Sequence, residues 1–146
     1  MPRVFRHDLV VPPDAIDEFD HVNNQRYIAW MQEVATAHSA TNGWPMERYL
    51  ESGAAWVVRS HFIEYLRPAF AGDMLEIHTW ASSLALREVT RKYRFRRAGQ
   101  TLANAETKWV YVDIKSGRPK RIPEELLGSF EAVPDDDAEL ARSLST

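Results

Sequence analysis

Asp17-Glu18-Phe19-Asp20-His21-Val22-Asn23-Asn24-Gln25-Arg26-Tyr27-Ile28-Ala29-Trp30-Met31-Gln32-Glu33 is the stretch on which the architecture turns. It opens a run in which Tyr27, Trp30, Met31, Val34 and His38 recur at spacings of three and four, as one face of a helix requires. Asn23 is a good N-cap for that run, because its side-chain oxygen can take a free N–H of the first turn. Ile28 and Ala35 widen the apolar stripe, so a helix from Asn24 to about His38 is expected to be covered on most of its surface. It dissolves at Thr41-Asn42-Gly43, and Pro45 opens a short second helix that ends near Gly53.

Outward from this helix the pattern is β. Residues 3–11 alternate loosely and stop at Pro12-Pro13, which cannot continue a hydrogen-bonded ladder. After Gly53 the segments Ala54 to Leu66, Met74 to about Ser82, Leu86 to Arg97 and Thr101 to Ile114 are rich in Val, Ile, Thr and aromatic residues. Turn signals separate them: Pro68 with Gly72-Asp73, then Ala98-Gly99-Gln100, short enough for a hairpin, with Ser116-Gly117 closing the last. One strand, a long helix and four consecutive strands is an α+β order, an antiparallel sheet with the helix packed on one face. The domain is expected to occupy residues 1–130, with the acidic residues 131–146 forming a mobile C-terminal tail because they hold few large apolar side chains.

A chain of 146 residues is about one domain long and needs no disulfide or structural metal to bury a stable core. The absence of cysteine removes thiol nucleophiles, iron–sulfur clusters and Cys-based zinc sites, and points to a reducing compartment. His7, His21, His38, His61 and His78 are too scattered for a preformed metal site, so none is expected. No Gly-rich phosphate loop, zincin motif or serine elbow occurs. The longest uncharged stretch, Val34 to Met46, is too short and too polar to span a membrane, and the charged N-terminus is unlike a secretory signal. A cytoplasmic protein without a membrane partner is expected. Net charge is −3, but the acids of the last 16 residues account for it and leave the body near neutral, less basic than a non-specific polyanion binder.

The spacing D-x-x-x-H-V-N-N-x-x-Y-x-x-W-x-x-E over residues 17–33 resembles the acyl-thioester hydrolases of the hot-dog fold, as in 4-hydroxybenzoyl-CoA thioesterases and plant acyl carrier protein thioesterases. Glu64-Tyr65-Leu66-Arg67-Pro68 with Gly72-Asp73, and Val110-Tyr111-Val112-Asp113 leading through Ser116-Gly117-Arg118-Pro119 to Ile122-Pro123, look like that family in order and spacing. The resemblance implies a long central helix wrapped by a five-stranded antiparallel sheet. It also implies hydrolysis of an acyl-CoA or acyl carrier protein thioester in a homodimer, with dimers pairing into tetramers and the active site between subunits. Neither metal nor redox cofactor is implied, CoA being part of the substrate.

By the same resemblance Asp17 stands at the catalytic carboxylate, and Asn23 and Asn24 open the helix whose backbone N–H groups polarise the thioester carbonyl. A carboxylate can attack a thioester or deprotonate water without Cys or Ser, and a helix N-terminus suits a developing oxyanion. His21 either orients this loop or contacts substrate, against a structural role bonded to backbone. Asp20 departs from the family, which often has Gly there; it either perturbs Asp17, takes its role, or only makes loop hydrogen bonds. Glu33 is a reserve carboxylate, against a helix-edge residue salt-bridged beside Arg26.

Tyr27 and Arg67, within the matched motifs, are taken as substrate-binding residues. Alternation places Lys92, Arg94 and Arg96 on one face of a basic strand, and Arg94 and Arg96 are the candidate seat for CoA phosphates. A solvated sheet face or a nucleic-acid platform reads the same pattern. Trp44, Tyr49 and Trp56 either line an acyl pocket or pack a core. The rival from another class is an acyl-thioester sensor that kept the cleft and lost turnover.

Overall fold

The computed structural model describes residues 2–145. Strand β1 (Val4–Val10) leads through one 3₁₀ turn (Pro13–Ala15) and a loop into helix α1 (Asn24–Thr41) and the short α2 (Met46–Ser52). Then come β2 (Ala54–Tyr65), β3 (Met74–Leu84), β4 (Glu88–Arg97) and β5 (Gln100–Asp113), followed by α3 (Glu124–Ser129) and α4 (Ala138–Leu144). The five strands form one antiparallel sheet in the order β1-β3-β4-β5-β2, so β1 and β2 are its edges.

Helix α1 lies on the concave face. Tyr27, Trp30, Met31, Val34 and Ala35 are buried against Leu75, Ile77, Tyr93, Phe95, Leu102 and Ala105, so the stripe that marks the helix is also what fixes it to the sheet. Two turns show why their residues are where they are. Gly53 ends α2 in the left-handed region at φ +77°, where a Cβ is penalised. Ala98 and Gly99 both have positive φ, +48° and +80°, which matches the right-handed twist of the β4–β5 hairpin.

The C-terminal segment corrects an expectation. Residues 133–144 fold back over the convex face, where Val133 and Leu140 are buried against Trp80 with Val4 and Leu144 beside them. Arg3 pairs with Asp137 at 2.8 Å and Glu139 at 2.9 Å. Few large apolar residues suffice, because they cap one tryptophan rather than build a core. This cover explains why β3 is buried on both faces, with Ile77 and Thr79 under the helix side and His78 and Trp80 under the other. Among the described residues no helix is long and apolar enough to cross a membrane.

Candidate active site

The loop before α1 is built by backbone bonds. Ile16 and Val22 form an antiparallel bridge, Val22 N–H donates to Ala69 O at 2.9 Å, and Asn23 N–H donates to Ala15 O at 2.8 Å. Between them Asp17 N–H donates to His21 O at 2.9 Å and Asp20 N–H to Asp17 O at 3.1 Å, closing a tight turn. Asp20 occupies the left-handed region at φ +63°, a backbone conformation that favours Gly, the residue the family resemblance expects there. Aspartate is among the few other residues that enter this region at modest cost. Its exposed carboxylate has no hydrogen-bond or ion-pair partner among the described residues.

Asp17 is half-buried, and its Oδ1 accepts the Phe19 N–H at 2.9 Å. That bond orients the carboxylate, and Oδ2 takes no hydrogen bond among the described residues. Asn23 caps α1 as expected, its Oδ1 accepting the Gln25 N–H at 2.9 Å. The Asn24 N–H, first in the helix, has no intrahelical acceptor, and the positive end of the helix dipole adds to it. The loop thus supplies a carboxylate and, a few residues on, the free backbone donors of a helix start. His21 is exposed, its ring edge-on to Phe70 at 5.4 Å.

Tyr27 belongs to the core at 2% exposure, its ring packed edge-on against Trp30, Tyr65 and Phe95. Burial pushes its hydroxyl up to about 12, so it stays protonated at neutral pH. Tyr65, at the end of edge strand β2, donates from its hydroxyl to Asn24 O at 3.4 Å, tying the strand to the helix start. Glu33 is exposed some nine residues along the helix, about 14 Å from Asn24 at 1.5 Å rise per residue, and is not brought to the Asp17 turn within one chain. The salt bridge expected at Glu33 is absent among the described residues; Arg26 instead reaches Asp14 at 3.5 Å.

The basic strand divides. Arg94 donates from Nε to Asn104 at 3.0 Å and lines a groove of about 650 Å³ between the convex sheet face and α4. Lys92 in the same groove is paired to Asp135 at 2.9 Å, so the acidic tail neutralises part of this face. Arg96 departs from the expected phosphate seat: it is 4% exposed, 3.8 Å from Glu76, and donates to Gly99 O at 3.2 Å. Arg67 projects from the end of β2 into solvent.

A second cavity, about 140 Å³, lies between α1, α2, β2, β4 and β5, and Trp44, Tyr49, Trp56, Trp109 and Phe130 form its walls. This places all three aromatics considered for an acyl pocket around one space. It also contains Arg91, which was not singled out from sequence. The signal was available: Arg91 shares strand parity with Val89, Tyr93 and Phe95, hence the covered face rather than the face of Lys92 and Arg94.

Residues 11–130 match the family model described as the thioesterase-like superfamily. The chain is 28% identical over 129 residues to the acyl-CoA thioester hydrolase YbgC of Escherichia coli O157:H7, covering 88% of this chain and 96% of that one. It is 27% identical over 120 residues to the long-chain acyl-CoA thioesterase FadM of Escherichia coli strain K12, covering 81% and 90% respectively. In fold it is similar to Slr0204, a 1,4-dihydroxy-2-naphthoyl-CoA thioesterase from Synechocystis, with a TM-score of 0.79 at 17% identity over 86% of this chain and 94% of that one.

Proposed function

Because the chain belongs to the thioesterase-like superfamily, we propose that it hydrolyses an acyl-CoA thioester with Asp17 as the essential carboxylate. The observation that carries this reading is the turn itself, where Asp17 uses only Oδ1 among the described residues, in the loop that leads directly into the N-terminus of α1. In the reading, Asp17 takes a proton from water and the hydroxide oxygen bonds to the thioester carbon. The carbonyl oxygen becomes an oxyanion held by the helix N-terminal amides. Collapse breaks the C–S bond, and the leaving sulfur receives the proton from Asp17, giving free acid and thiol. His21 borders the turn and positions substrate, Asp20 shapes the backbone, and Glu33 serves the helix edge. The reaction needs no added cofactor and proceeds in the cytoplasm.

A homodimer completes the site. Edge strand β2 is 12 residues long and exposes Val57, Phe62 and Tyr65, an unprotected edge that a second copy of itself can extend. Antiparallel pairing about the strand's middle sets the Tyr65 end of one chain, with its Asp17 turn, beside the Ala54 end of the other. Arg94, which lines the open groove, and not the buried Arg96, serves as the seat for CoA phosphate in this reading. The test is release of thiol from a panel of acyl-CoA and acyl carrier protein thioesters, read beside the mass in solution by light scattering. Turnover by a species of twice the chain mass supports the reading; an active monomer removes the shared site, and no release from any thioester removes the activity.

A further inference from the structure

Arg91 is 5% exposed, yet among the described residues no carboxylate pairs with it. Its Nη1 donates to Nδ1 of His38 at 2.9 Å and to Oγ1 of Thr79 at 3.1 Å, both neutral acceptors. Phe130 faces the guanidinium at 5.6 Å. The Nε and Nη2 donors have no protein acceptor among the described residues. A buried cation ordinarily carries a counter-ion, because desolvating it alone costs several kcal/mol. Burial lowers the Arg91 pKa accordingly.

The buried polar groups beside Arg91 in the 140 Å³ cavity already have partners, while Thr36 stands at its exposed rim. Trp56 Nε1 donates to the Tyr49 hydroxyl at 3.0 Å, the Tyr49 and Ser39 hydroxyls are 2.7 Å apart, and Ser39 donates to Trp44 O at 2.8 Å. Arg91 is thus a buried cation with idle donors in an aromatic pocket of the size that accepts a single ring, since a cavity of roughly 150 Å³ holds benzene. Trp56 sits near the Ala54 end of β2, the end that an antiparallel dimer brings to the partner's Asp17 turn. Within one chain the pocket, at Ala35 and Ser39, is about 16 to 22 Å along α1 from Asn24, too far for a short acyl group on Asp17 of the same chain.

The geometry points to this pocket as the acyl site for the partner's catalytic turn, with Arg91 pairing to a carboxylate at the far end of the acyl group. This rests on the thioester-hydrolase reading and narrows its substrates to monothioesters of short or single-ring dicarboxylic acids. A bidentate guanidinium–carboxylate pair would use the idle Nε and Nη2 donors.

The test compares matched pairs in which a methyl replaces the distal carboxylate: adipoyl-CoA with hexanoyl-CoA, and 4-carboxybenzoyl-CoA with 4-methylbenzoyl-CoA. The expected result is kcat/KM at least ~10-fold higher for the carboxylate member, a ratio that falls to about one in Arg91→Met. Ala35→Leu, which keeps Arg91 and fills the cavity, should raise KM for the carboxylate member and stands in if Arg91→Met does not fold. Equal or better turnover of the methyl members by the unaltered protein overturns the inference while leaving the hydrolase reading intact. If no thioester is cleaved, the hydrolase reading fails separately, and quenching of tryptophan fluorescence by benzoate against benzyl alcohol still decides the pocket. Saturable quenching by benzoate alone, lost in Arg91→Met, supports the anion site; none overturns it.

Discussion

Nη1 of Arg91 lies 2.9 Å from Nδ1 of His38, a residue on the facing helix 53 positions earlier. A guanidinium can only donate, so Nδ1 must accept, and the ring proton sits on Nε2, which donates to Pro2 O at 2.8 Å. Asn42 Nδ2, 3.3 Å from Nε2, is then a neighbour and not a partner; it donates to Ser129 O at 2.9 Å. The helix and β4 are joined through a histidine that works only when neutral.

Burial, reinforced by the charge of Arg91, pulls His38 from 6.5 down to about 4. Between these values the unfolded chain binds a proton that the folded chain refuses, so stability falls as pH drops through that window and levels off below about 4. The contribution is on the order of 3 kcal/mol. Urea denaturation of the parent and of His38→Asn, which keeps an acceptor for Arg91, should show a shallower acid loss in the variant between pH 6.5 and 4.5. Parallel slopes would contradict the neutral-histidine arrangement.

Asp20→Gly should hold or raise stability, by roughly 0.5 to 1 kcal/mol, because φ +63° costs glycine nothing. Turnover should persist, since the Asp20 side chain has no partner to lose. Thermal midpoint and kcat measured together check both parts, and a collapse of kcat would transfer the catalytic role from Asp17 to Asp20.

Leu140→Ala should destabilise by about 2 kcal/mol, the low end for a buried leucine, because its cluster with Trp80 and Val133 is small. Denaturant titration followed by tryptophan fluorescence reads the change. A loss below ~0.5 kcal/mol would mean that residues 133–144 do not cover the sheet in solution.

The helix and the turn before it were legible because their signals are local. Spacings of three and four name the buried face from Tyr27 to His38, Asn23 announces a cap, and the pairs Ala98-Gly99 and Ser52-Gly53 mark reversals that only particular φ values allow. Strand order was not legible from periodicity, since nothing in β2 says that it pairs with β5 at the edge and not with β3. The cover over Trp80 was hidden for a different reason: a few apolar residues spread over a polar, acidic segment read as tail until the surface they cap is known. Arg96 looked like Arg94 because parity assigns a face but not a neighbour, and it is Glu76 on β3 that distinguishes them. Arg91 was overlooked among surrounding cations although its parity with Tyr93 and Phe95 put it inside.

The central claim is that Asp17 carries the chemistry, and Asp17→Asn measures it most directly. The amide keeps the side chain's size and can still accept the Phe19 N–H, so folding and assembly should be retained. It cannot take a proton from water at neutral pH. With thermal midpoints matched, kcat for acyl-CoA hydrolysis is expected to fall by at least ~100-fold, the low end for a positioned general base. Near-normal turnover in Asp17→Asn would contradict the account.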